Sequence, residues 1–179
     1  MRYQTLGDKP GFVEERIRND EASANIPKGT PVVLTLDGTE DGLAVVLPSS
    51  AGSQALADMF LFGVASDVVE PARLGNATKF GIARQAILRR ATRAASTDNW
   101  VGSTSIAKGV LLRLDTVNNC FSTAASIVTT ATDTVVTISY HHRPNAWLAE
   151  DVASFASTAS TTGAATALTV FAKAFVRLL

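Results

Sequence analysis

Pro31-Val32-Val33-Leu34-Thr35-Leu36 is the stretch on which the fold turns. It is stopped by Asp37-Gly38, a strong turn dipeptide, and a second acidic turn follows at Glu40-Asp41-Gly42. Leu43-Ala44-Val45-Val46-Leu47 comes next, closed by Pro48. Two branched apolar runs of strand length, separated by Asp-Gly signals, read as a β-hairpin. Upstream, Ile26-Pro27-Lys28-Gly29-Thr30 forms the turn that opens onto the first run.

Further strands are expected on both sides of loop-like stretches. Residues 48–58 are rich in Ser and Gly, and Met59-Phe60-Leu61-Phe62-Gly63-Val64-Ala65 then has the length of a buried strand. Val68 and Val69 follow, before Pro71. Lys108-Gly109 precedes Val110-Leu111-Leu112-Arg113-Leu114-Asp115, and Asn118-Asn119 reads as a turn. Val135-Val136-Thr137-Ile138-Ser139-Tyr140 is a β-branched strand, ended by His141-His142-Arg143-Pro144-Asn145. Residues 96–105 and 154–165 are polar, small-residue loops, and no internal repeat is evident. Several short strands with turn signals between them indicate an all-β barrel or sandwich, not alternating βαβ units.

Two segments fit two templates. Between Asn76 and Ala95, the residues Ile82, Ala83, Ala86, Ile87, Arg90 and Ala91 draw one helical stripe, yet 82–88 also reads as a strand. The pattern by itself leans towards the helix. In the closing run, Leu168, Phe171, Ala172, Phe175, Val176 and Leu179 make a helical stripe. Read as a strand, Val170, Ala172, Ala174, Val176 and Leu178 share one face. The strand is the better reading, because the run abuts a Gly/Thr tract and is rich in aromatic and branched residues.

The first 25 residues differ from the rest. Charges crowd into them, Pro10-Gly11 breaks them, and Phe12, Val13 and Ile17 are their only apolar anchors. An extended arm that orders on a neighbour and a frayed terminus are both open readings. The remaining 154 residues, 26–179, suit one domain with a real core.

Composition narrows the function. Hydrophobic residues reach 46% but charged ones only 18%, with small Ala, Ser, Thr and Gly filling the gap. Sixteen basic residues balance sixteen acidic ones. That lacks the basic excess of a phosphate-binding protein, and it removes the self-repulsion that keeps monomers apart. The single cysteine, Cys120, allows no intrachain disulfide, which points to synthesis in a reducing cytoplasm. Met1-Arg2-Tyr3-Gln4-Thr5 lacks a signal-peptide core, and no membrane-spanning apolar helix is expected.

Reactive constellations are missing. Cys120 with His141 or His142 as base has no supporting motif, and a small buried cysteine is common. The adjacent histidines of a strand end point to opposite faces, so one ion cannot easily use both. There is no phosphate-cradling glycine loop and no nucleophile elbow. Neither a cofactor nor a metal is expected, and the chain reads as a non-enzyme. Arg84, Arg89, Arg90 and Arg93 form the sharpest charge cluster. It reads as a solvated face, as a docking face for an acidic protein surface, or as a nucleic-acid patch, which the neutral total opposes.

Three features together resemble the tailed-phage capsid decoration (cement) proteins of the lambda type. One is Ile26-Pro27-Lys28-Gly29-Thr30-Pro31-Val32-Val33-Leu34. The second is the succession Phe62-Gly63-Val64-Ala65, Gly75 to Arg84, and Lys108-Gly109-Val110-Leu111-Leu112. The third is the closing Ala172-Lys173-Ala174-Phe175-Val176-Arg177-Leu178-Leu179 after a Ser/Thr/Ala tract. The likeness covers 26–115 and 152–179. Residues 116–150 match less well and read as an insertion, an outward hairpin.

The resemblance implies a small β-barrel of the tulip type, and it turns 82–95 to strand. It implies a homotrimer made in the host cytoplasm and bound to the major capsid protein on the virion head. Neither a membrane nor direct nucleic acid is an expected partner. The expected contact residues are Phe12, Val13, Ile17, Arg84, Arg89, Arg90, Arg93, Trp100 and Trp147. The competing reading is a tail or baseplate adhesion domain, with Trp100 and Trp147 stacking on a host glycan.

Overall fold

The computed structural model describes residues 12–35, 43–93, 100–102, 105–123, 146–153, 156–157 and 168–177. The acidic turns after Leu36, the run Val135–Tyr140, the two histidines and most of the 154–165 tract lie outside these residues. What is described is an all-β small barrel with added strands, as expected. The strands are β1 (Phe12–Asn19), β2 (Pro31–Leu34), β3 (Ala44–Val46), β4 (Leu61–Ala65), β5 (Leu74–Arg93) and β6 (Trp100–Gly102). They continue with β7 (Leu111–Asp115), β8 (Cys120–Thr123), β9 (Ala146–Leu148), β10 (Ala156–Ser157) and β11 (Leu168–Arg177). The described helices are a 3-10 turn at Pro48–Ser50 and α1 (Gln54–Met59), capped by the Ser53 hydroxyl accepting from the Leu56 amide.

Strands β1, β3, β2, β4 and β5 close into a five-stranded barrel, with β1 parallel to β3 and antiparallel to β5. Its interior holds Ile17, Ile26, Val32, Val45, Phe62, Val69 and Ala77, all buried. A second circuit of pairings runs β5, β11, β9, β7, β8 and back to β5. Leu88, Leu112, Leu114, Phe121, Leu148, Ala172, Ala174 and Val176 fill it. The twenty residues of β5 serve both: Leu74 to Gly81 pair with β1, and Phe80 to Ala91 pair with β11.

The two circuits have the same topology. In each, the first strand is parallel to the third (Asn19↔Val45 and Leu88↔Phe121) and antiparallel to the last (Ile17↔Gly75 and Ala86↔Ala172). Pro31↔Val64 in the first matches Leu111↔Trp147 in the second, and Val64↔Thr78 matches Trp147↔Phe175. Hydrogen bonds repeat too. Ile26 and Val69 exchange amide bonds, as Ile106 and Val152 do, and the Gly29 amide donates to Ala65 as the Gly109 amide donates to Leu148. The chain is therefore an internal duplication at the level of structure, which the sequence reading did not find.

Two expectations are corrected. Residues 12–19 are not an arm: they are a strand inside the barrel, and Ile17 is fully buried in its core, where it cannot meet a partner. The segment 116–150 is not wholly an insertion, since β8 and β9 are integral to the second circuit and Phe121 is fully buried in it. Residues 82–93 are strand, as the resemblance implied, although the pattern by itself leaned towards helix.

Gly29 and Gly109 sit at equivalent turns, with φ +83° and +84°, a region that L side chains enter at a cost of about 1–2 kcal/mol. A Cβ on Gly29 would collide with the carbonyl oxygen of Gln85, whereas one on Gly109 would meet open space. Gly109→Ala should therefore lose about 1–2 kcal/mol from backbone strain. Gly29→Ala should lose on the order of 3–5 kcal/mol, because β5 must also be displaced. Urea midpoints of both variants check this; equal losses would show that β5 does not seat on the Gly29 turn.

Candidate functional site

Alternation places one residue in two of a strand on the outer face, and on β5, β11, β9 and β7 that face is apolar and aromatic. Leu111, Trp147, Phe175 and Ile82 stand in one row across the four strands, paired Leu111↔Trp147, Trp147↔Phe175 and Phe175↔Ile82. Phe80 extends the row. Its ring meets that of Phe175 nearly edge-on at 5.9 Å between centroids, and Trp147 meets Phe175 at the same distance. Such contacts hold aromatic side chains in fixed orientations. Ile82 is 47% exposed, Phe80 and Leu111 each 40%, and Phe171, further along β11, 64%.

A contiguous apolar belt of this kind, on rigid strands, is a candidate contact surface. Charges border it. Arg84 and Arg113 are exposed on β5 and β7, and Arg177 is exposed at the end of β11 opposite Phe80. Lys173 is held by Glu150, 2.9 Å away. The border is thus mainly cationic, which favours an acidic rim on whatever covers the belt.

The residues expected to make contacts divide. Trp147 lies in the belt, Arg84 borders it, and Val13 on β1 is exposed beside Phe80, its pairing partner. Arg89 is half-buried, and its guanidinium holds the buried Asp115 at 2.9 Å, so it is committed inside the protein and is not a free docking group. Arg90 and Arg93 lie on β5 and Trp100 on β6; their side chains, like that of Phe12, fall outside the described residues. Phe80, Ile82, Leu111, Phe171 and Phe175 were missed. Their signal was apolar residues on the polar side of an alternation, which shows only once strand pairing assigns the sides.

Asp115 organises the hairpin between β7 and β8. One of its oxygens accepts from the Val117 and Asn118 amides, and the other from the Asn118 side chain. Cys120 lies beside it, fully buried. Burial, reinforced by the Asp115 charge, pushes its thiol from 9.0 up to about 12. A thiol so protonated is no nucleophile at neutral pH. Among the described residues, no three His, Cys, Asp or Glu side chains gather as metal ligands. Comparison with known protein families and with curated protein sequences finds no match.

The Cys120 environment has a measurable signature. The thiol's pKa is higher in the folded chain, so its contribution to stability is intact below pH 9 and is lost as pH rises towards about 12. Through that window Cys120→Ala should show a shallower fall in stability with pH than the parent, by up to about 1.4 kcal/mol per pH unit. Iodoacetamide at pH 8 should label Cys120 only in denaturant. Rapid labelling of the folded chain would contradict the buried placement.

Proposed function

We propose that this chain is a structural, non-catalytic subunit that binds the outside of a tailed-phage capsid shell and reinforces it. The observation that carries the reading is the belt: an outward, aromatic, apolar strip built on hydrogen-bonded strands, where rigidity serves contact and not turnover. The resemblance of residues 26–115 and 152–179 to capsid decoration proteins supplies the particular partner, the major capsid protein. The fold suits the task. A strand shared by two closed cores cannot leave one without disturbing the other, so pulling on the subunit loads many hydrogen bonds together. Contacts that are modest singly become strong when repeated over a shell, because every bound subunit stabilises the state it binds.

Purified particles of the virus that encodes the chain should contain it in hundreds of copies, counted by quantitative mass spectrometry. The recombinant protein should also co-sediment with emptied shells stripped of it. A handful of copies per particle would favour the tail-adhesion reading instead, and absence from particles would remove both.

A further inference from the structure

The duplication bears on the belt, because the first barrel carries the equivalent strip with its β2, β4 and β5 part already covered and its β1 edge, Val13 and Glu14, exposed. Gly29, Pro31, Val33, Val64 and Thr78 occupy its equivalent positions, and all five are buried. Their counterparts in the second circuit are Gly109, Leu111, Arg113, Trp147 and Phe175; the first three are exposed and the aromatic pair is half-buried. What covers the first strip is the unit that follows it in the chain. The Ile87 amide donates to the Gly29 carbonyl at 2.8 Å, Gln85 lies against the Gly29 Cα, and Val33 and Val64 merge into the core of the second circuit. Among the described residues, nothing comparable covers the equivalent strip on the second circuit.

Resting on the reading of the belt as a protein-contact face, we infer that its occupant is the first barrel of a second copy of this chain, bound head to tail. Registers support the join. Arg177, the last residue of β11, is the counterpart of Phe80, and Phe80, which pairs with Arg177, is in turn the counterpart of Val13, which pairs with Phe80 near the start of β1. One unit thus ends where the next begins. Charge supports it independently. Residues 12–80 hold ten acidic and five basic side chains, and residues 81–177 hold five acidic and nine basic, a net of −5 against +4. A neutral total conceals two oppositely charged halves. A like-with-like contact through the belt would bring positive halves together, whereas head-to-tail packing brings positive to negative. Heterologous contacts of this kind close into rings or continue as fibres according to the rotation per copy.

Analytical ultracentrifugation of the full chain without any shell tests the inference. At tens of micromolar the parent should sediment as a multimer at low salt, and at least tenfold weaker association is expected at 0.5 M NaCl. Trp147→Ser/Phe175→Ser (the belt) and Arg16→Glu/Asp20→Lys (the first barrel, where the exposed counterpart of Gln85 lies) should each be monomeric, with parental circular dichroism. An equimolar mixture of the two should form heterodimers, because one intact interface survives. A parent that stays monomeric, or a mixture that stays monomeric, overturns the head-to-tail contact. If the monomeric parent still co-sediments with shells and the belt variant does not, the belt faces the capsid and the proposed function stands without self-association. A multimer that ignores shells would leave the inference intact and remove the proposed function.

Discussion

The sharing of β5 between two closed sets of strands is the constraint on which the rest of this structure depends. A strand of twenty residues is several times the usual length, and a lone strand of that length would expose its amides and carbonyls along two edges. Here each half is bordered by its own partners, β1 and β4 on the first half, β11 and then β8 on the second. The cores on either side are consequently not independent. Val33, Leu61 and Val64 lie on β2 and β4 of the first barrel, yet they pack into the cluster that fills the second circuit.

Glycine makes that sharing sterically possible at one point. The backbone of β5 passes over the Gly29 turn at a distance that leaves no room for a side chain, and the same passage supplies the bond from the Ile87 amide. Gly63 serves similarly inside the first barrel, where an added Cβ would stand 2.6 Å from the Thr78 carbonyl oxygen. The equivalent turn at Gly109 keeps the left-handed backbone but, among the described residues, has no neighbour across it. Its glycine answers to turn conformation alone.

The duplication also explains why a protein with zero net charge and a modest charge content presents a definite polarity. Opposite charges are segregated by unit, so the long-range field of one half is attractive for the other half of a neighbouring molecule. In the proposed head-to-tail contact the apolar belt supplies the short-range part. Specificity would come from the bordering cations Arg84, Arg113 and Arg177, which disfavour any partner that brings its own basic surface.

Much of the β architecture could be read from the sequence. Pro31–Leu34, Ala44–Val46, Leu61–Ala65 and Leu111–Asp115 fall where branched apolar runs and turn dipeptides put them, and β11 buries Ala172, Ala174 and Val176 as its strand reading requires. The second half of β5 misled for a physical reason. A register shift against β11 between Ala172 and Ala174 leaves Ala83 and Ala86 buried three residues apart, which imitates helical spacing. The duplication hid because strand order and register need only a polar–apolar rhythm and a few glycines; Ile26-Pro27-Lys28-Gly29 and Ile106-Ala107-Lys108-Gly109 are its clearest trace. The belt was hidden too, with Trp147 alone anticipated, because its members come from four strands. Local preference and periodicity are properties of neighbours in sequence, and they determined that the chain is all-β. Which strands meet, which core holds Ile17, and which apolar residues stand outside were decided by pairings between distant residues, and those exist only in the folded chain.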